Sequence, residues 1–343
     1  MSVFFSYLVT IRYYHGKYGR AEIPVVSSSG ITGYHNEAKA KPPGIVTGRY
    51  GTLGEVFYLT QDYWPLNTAL YVVDFKGNCP EFLAYFLKNI LKDYQSDKAA
   101  VPGVDRKVLH EIKVKVPEHK TQIRISEALK SYDDLIENNR RRMALLEESA
   151  RLLYREWFVR LRFPGYEHTR IVDGVPEGWE RKALGESITL NYGKALKADD
   201  RTEGDFPVYG SSGIVGTHHK PLVQGPGIIV GRKGNVGSVF WSAKDFFPID
   251  TVYFISAEQS SFYLYYALQN MHFISTDVAV PGLNRDFAYS RDLLLPSKTI
   301  VESFLQIVAP IHDQLNKLDE MNQKLRTARD LLLPRLMSGE IEV

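Results

Sequence analysis

The chain writes one long passage twice. Glu22 to His35 read EIPVVSSSGITGYH, and Asp205 to His219 read DFPVYGSSGIVGTHH, 183 residues further on. The same interval separates Pro43-Gly44-Ile45 from Pro226-Gly227-Ile228, and GRYGTLGEVF (Gly48 to Phe57) from GRKGNVGSVF (Gly231 to Phe240). After a loss of about four residues the interval is 179: AVPGVDR (Ala100 to Arg106) matches AVPGLNR (Ala279 to Arg285), and VKVP ending at Pro117 matches LLLP ending at Pro296. A unit this long occurring twice is a duplicated domain and not a solenoid, whose units run to ~20–50 residues.

Each copy has two textures. The first is rich in Gly, Tyr, Phe and Val, with short runs such as GEVFYL, GIIVGR and TVYFIS bounded by turn residues, and then a helical stretch, PEFLAYFLKNILKDY or SFYLYYALQNM. Short β-type runs followed by a helix predict an α/β (α+β) domain with a mixed sheet. The second texture follows Pro117 and Pro296 and has apolar residues at alternating steps of four and three. In the first copy these are Ile125, Leu129, Tyr132, Ile136, Asn139, Met143, Leu146, Ala150, Leu153 and Trp157. In the second they are Phe304, Val308, Ile311, Leu315, Leu318, Asn322, Leu325, Arg329, Leu332 and Leu336, each 179 beyond its counterpart. A period of 3.5 sustained over about four heptads is a coiled-coil seam. Two helices of ~60 Å are longer than a small domain is wide, so each is expected to pack antiparallel on the other, with Asn139 and Asn322 as polar layers. Two helices lying on their own domains are the alternative. Pro310 and Pro334 are expected to divide, bend or end the second helix.

The 343 residues allow two or three domains, and 44% hydrophobic with 24% charged residues is the balance of a folded chain. Cys79 is the only cysteine, which excludes a disulfide framework and a cysteine zinc site and fits a reducing cytoplasm. No apolar run approaches the ~18 residues of a membrane span, and the opening MSVFFSYLVTIRYY is read as part of the fold. The net charge of +2 permits nucleic acid without requiring it. Neither Gly-rich loop ends in the Gly-Lys-Ser/Thr of a phosphate-binding loop, and no His-Glu-x-x-His, G-x-S-x-G or dinucleotide fingerprint is present. No catalytic residue and no metal site is assigned.

The loops carry the functional candidates. Their glycines serve tight turns, and the basic residues riding on them, Arg49 with Tyr50 and Arg232 with Lys233, suit phosphates or bases. In the VPG turns Arg106 and Arg285 either cap the next element or reach a partner. Asn284, where the first copy has Asp105, has the side chain that reads adenine. Ser212 and the run His218, His219, Lys220 complete the set expected to bind DNA. Two copies that keep their glycines and diverge in polar loop positions suit two different half-sites, where an identical pair would read a palindrome.

LLYREWFVRLRFPGYE and VPEGWERKALGE in the connector, PVYGSSGIVG and GIIVGRKGNVGSVF in the second copy, and LLLPRLMSGEI near the end closely resemble the specificity subunit of type I restriction–modification systems. The resemblance covers essentially the whole chain. It implies two tandem target-recognition domains (1–117 and 181–296), a first spacer helix (118–160), a connector (161–180) and a second helix with its tail (297–343). It also implies that the chain is not an enzyme. It would read a split asymmetric site in double-stranded DNA and dock methyltransferase subunits, which would bind S-adenosylmethionine, alongside restriction subunits. The chain departs from the pattern at one point: a counterpart of Trp179 would fall before residue 1, so the first domain is expected to be shortened. The rival reading is a coiled-coil scaffold whose globular ends bind proteins; an enzyme with a site between the halves would need chemistry the sequence does not show.

Overall fold

A computed structural model describes residues 22–49, 54–92, 104, 106–271, 273 and 282–343. The chain divides into two compact units. Residues 1–138 with 321–343 form one and residues 139–320 the other, so both boundaries cut through a long helix.

In the first unit the short apolar runs become strands: β1 (Ile23–Ser27), β2 (Gly30–His35), β3 (Gly44–Gly48), β4 (Val56–Leu59), β5 (Trp64–Pro65) and β6 (Ala69–Tyr71). They form two three-stranded sheets, in the orders β2-β1-β5 and β4-β3-β6. The first is mixed, because β1 is antiparallel to β2 and parallel to β5. All five residues of β3 are buried, which is why GIVTG reads as an unbroken small and apolar run. Helix α1 (Pro80–Lys92) buries Phe82, Leu83, Phe86, Leu87 and Leu91 along one face. A short α2 (Arg106–Glu111) follows, and then the long α3 (His119–Tyr154).

The second unit opens with a small hairpin, β7 (Ile171–Val172) and β8 (Val175–Pro176), and continues through β9 (Glu180–Ala183), α4 (Leu184–Ser187) and β10 (Asn191–Tyr192). The repeat then runs through β11 (Phe206–Gly210), β12 (Gly213–His218), β13 (Gly227–Gly231), β14 (Val239–Ser242), β15 (Phe247–Pro248) and β16 (Val252–Ile255). Helices α5 (Phe262–Asn270) and α6 (Arg285–Tyr289), strand β17 (Asp292–Leu295) and helix α7 (Lys298–Ser338) complete it. Its sheets have the orders β12-β11-β15 and β10-β16-β13-β14, which is the plan of the first unit's described strands plus the edge strand β10. The duplication extends to irregularities. The β1–β2 register slips between Val25 and Val26, and the β11–β12 register slips between Val208 and Tyr209, 183 residues on. Gly30 and Gly213 both take positive φ, where a Cβ would lie 3.2 Å from the Phe57 ring and 3.4 Å from the Phe240 ring. Glycine is required there on two counts, backbone and space.

The copies differ at their edges. β17 pairs antiparallel with β9, whereas residues 113–116, the counterpart of β17, are not a strand. β9 has no counterpart among the described residues of the first unit.

The two long helices pack together antiparallel. In the first unit Ile125 and Leu129 of α3 share a core with Leu333, Leu336 and Met337 of α7, and with α1. One turn on from Leu129, Asp133 pairs with Arg329, which precedes Leu333. In the second unit Ala150 and Tyr154 of α3, and Trp157 just beyond it, meet Phe304 and Val308 of α7, with the Trp157 and Phe304 rings 6.0 Å apart. Of the seam positions named from sequence, Ile125, Leu129, Ile136, Asn139, Val308, Leu318 and Asn322 are buried. Tyr132, Met143, Leu146, Leu153, Ile311, Leu315 and Leu325 are half-buried.

Two expectations are corrected. Pro310 does not divide the second helix, and Pro334 does not end it: α7 is one helix of 41 residues through both. Each proline forfeits a backbone hydrogen bond. The buried neighbours Phe304 and Val308 before Pro310, and Leu333, Leu336 and Met337 around Pro334, hold the helix against that cost. The connector also has more order than its lack of period suggests. A five-residue π-helix (Arg155–Val159) precedes it, and the Phe163 and Trp179 rings pack tilted by 36° with centroids 4.6 Å apart.

Candidate nucleic-acid interface

The loops singled out by the repeat meet in space, in the same way in each unit. In the second unit the Arg232 N–H donates to the Thr251 carbonyl (2.9 Å), and the Leu283 N–H donates to the Arg232 carbonyl (2.8 Å). Lys233 and Gly282 form an antiparallel bridge. The Gly-rich loop is thereby clasped to the VPG segment. In the first unit the Arg49 N–H donates to Thr68 (2.8 Å), and the Val104 N–H donates to Arg49 (2.9 Å). These are the corresponding residues, at intervals of 183 and 179.

In the second unit this frame sets side chains around Tyr192, an exposed residue of β10. The Arg232 guanidinium lies 5.2 Å from the Tyr192 ring centre and 5.8 Å from that of Tyr253. The Arg285 guanidinium lies 5.1 Å from Tyr192 and 5.9 Å from Tyr289. The Tyr192 and Tyr253 ring centres are 5.1 Å apart. Burial pushes the Tyr253 phenol up, Tyr192 adds to that, and the two arginines pull it down. Its hydroxyl donates to the Leu283 carbonyl at 3.0 Å. Lys233 stands beside this group, exposed.

The other candidates fall elsewhere. Ser212 is exposed at the β11–β12 turn, and that turn is tied to the Gly-rich loop: Asn235 N–H donates to Ser211 Oγ at 3.3 Å, and Ser238 Oγ to the Ser211 carbonyl. His218, His219 and Lys220 sit at the far end of β12, ~20 Å along the strand. His218 is buried, and its Nδ1 accepts from the Thr202 N–H at 3.1 Å, while His219 and Lys220 are exposed. Asn284 caps α6, its Oδ1 accepting from Asp286 N–H (2.8 Å) and Phe287 N–H (3.1 Å). Capping therefore belongs to Asn284 and not to Arg285, and it engages the amide oxygen of the side chain picked out for adenine. In the first unit Arg106 is half-buried and lines a small apolar cleft with Leu70 and Leu109. Tyr50 and Asp105 lie outside the described residues. Tyr192, Tyr253 and Tyr289 were not named from sequence, because nothing local marks β10 as the neighbour of loops 40 and 93 residues away. Among the described residues no three His, Cys, Asp or Glu side chains group as a metal site needs, and no helix is long and apolar enough to cross a membrane.

One recognition architecture built twice, with different side chains on the same frame, defines a two-headed recognition protein. The chain matches a family described as Type I restriction modification DNA specificity domain over residues 12–148 and 176–299 and belongs to it: it is a DNA specificity subunit of a type I restriction–modification system, a non-catalytic subunit. It is 22% identical over 313 residues to the type I restriction enzyme MjaIX specificity subunit of Methanocaldococcus jannaschii, covering 78% of this chain and 70% of that protein. It is 24% identical over 378 residues to the HindI specificity subunit of Haemophilus influenzae, covering 82% of each. The crystal structure of a type I restriction–modification S subunit from M. genitalium shares the fold, with a TM-score of 0.55 and 17% identity over 95% of this chain and 91% of that one.

Proposed function

We propose that each unit reads one part of a split, asymmetric DNA site, and that the paired helices set the spacing and dock methyltransferase subunits. The methyltransferase subunits would bind S-adenosylmethionine and methylate the DNA, and restriction subunits would join the same complex. The observation that carries this reading is the pairing of one loop frame with two sets of side chains. The Arg49–Thr68–Val104 and Arg232–Thr251–Leu283 hydrogen bonds are the same, while Leu70 stands where Tyr253 does and His110 where Tyr289 does. A shared frame fixes orientation on the duplex, and differing side chains alter what is read. Docking is supported by apolar side chains left on the helices, with Leu145 71% and Leu331 65% exposed. Such residues suit a protein partner.

Single-molecule methylation mapping of DNA from the source organism, with the gene intact and deleted, tests this. Loss of modification at one split, non-palindromic motif is expected; unchanged methylation at every motif while the system is expressed rejects the reading. The scaffold reading predicts no binding to duplex DNA, whereas DNA recognition predicts binding that weakens steeply with salt.

A further inference from the structure

Arg232 and Arg285 come from the two repeated loops and converge on one ring, at 5.2 and 5.1 Å from its centre. Like charges brought together repel, and the face of one tyrosine offsets only part of that. Among the described residues neither guanidinium is paired with a carboxylate. The Arg232 Nε is buried and has no hydrogen-bond partner. A buried donor without an acceptor, beside two uncompensated cations, marks a place where an anion is missing. Tyr192 is 50% exposed, so the place opens to solvent.

We propose that Arg232 and Arg285, carried on Tyr192, clamp one backbone phosphate of the DNA. The assignment rests on the DNA-recognition reading and deepens it. Phosphate is favoured over a base because both guanidiniums lie against ring faces at the sheet edge, which leaves little reach into a groove. Two guanidinium forks also suit the several oxygens of one phosphate. The first unit keeps the charges as Arg49 and Arg106. There Leu70 replaces Tyr253 and His110 replaces Tyr289. Arg106 lies instead in the cleft with Leu70. The second unit then supplies a sequence-independent grip.

The test uses the full chain and a fluorescein-labelled duplex of about 30 bp of mixed sequence, titrated by anisotropy between about 50 and 200 mM salt. In Arg232→Gln/Arg285→Gln the slope of log affinity against log salt is expected to fall by about 0.9, so that across this range the unaltered protein loses roughly 3.5-fold more affinity than the variant. Tyr192→Ser, at an exposed position, is expected to move the slope the same way and covers the case in which the double variant fails to fold. Duplex binding with an unchanged slope in both variants overturns the clamp and leaves DNA recognition standing. A second arm measures melting with and without tripolyphosphate. If the unaltered chain ignores the duplex but is stabilised by tripolyphosphate through Arg232 and Arg285, the anion site stands and its assignment to DNA is overturned. If neither probe binds, the clamp itself is overturned.

Discussion

Arg329 shows what a single side chain does at the seam. The heptad count places it among apolar positions, where a charge is costly unless paired. In the first unit it pairs with Asp133, which also accepts a 2.6 Å hydrogen bond from the Tyr85 hydroxyl of α1. That hydrogen bond and burial push the Tyr85 phenol up, with burial the larger cause. The Arg329 side chain is 15% exposed and that of Asp133 38%, so solvent screening reduces what the pair is worth. Arg329→Met keeps the apolar stem and removes the charge; it is expected to destabilise the chain by about 1–2 kcal/mol, read as a lower midpoint in urea. The Arg232–Tyr192–Arg285 group is the opposite case, two charges with no carboxylate partner among the described residues.

Among the elements, α7 tests how far local rules carry. Proline costs about 3 kcal/mol in a helix interior, yet the helix continues through Pro310, which is exposed. Pro310→Ala is therefore expected to stabilise the chain, by up to about 3 kcal/mol, seen as a raised melting midpoint. Two residues on, His312 is buried, hydrogen-bonded through Nε2 to the Tyr266 hydroxyl at 2.8 Å and stacked on Phe262 at 3.9 Å. Burial lowers its pKa from 6.5 to about 4, with Asp313 opposing. The folded chain therefore favours the neutral ring. That contribution is complete above pH ~6.5 and is lost as pH falls toward ~4, up to about 3 kcal/mol. The melting midpoint should drop across this window, and His312→Phe should flatten the drop. The seam and the strands were legible in the sequence because their periods are local, 3.5 for Ile125 to Trp157 and short turn-bounded runs for β1 to β6. The persistence of α7 through Pro310 was not, because packing from Phe304 and Val308 decides it. Nor was the Tyr192 platform, because β10 reaches its loops only through the sheet. The capping by Asn284 was partly visible, since Asn is a favoured N-cap, but the start of so short a helix was not.

For the whole molecule, the split-site reading makes helix length a ruler. Removing one heptad from both α3 and α7 keeps the seam in phase and shortens each helix by ~10 Å, about 3 bp of duplex. The gap in the methylated motif should shrink by about 3 bp in single-molecule methylation mapping. An unchanged gap would show that the helices do not measure it. Shortening one helix alone throws the seam out of phase and is expected to abolish modification.

The pairing of β9 with β17 sets Ala183 opposite Asp292 and Glu180 opposite Leu295. The chain thus enters and leaves the second recognition region through one two-stranded gate. A segment whose ends already adjoin is easily replaced by another with the same gate, since the exchange leaves α3 and α7 untouched. On the split-site reading, crossovers between genes within those two strands would exchange one half of the site in one step, with no redesign of the shared machinery.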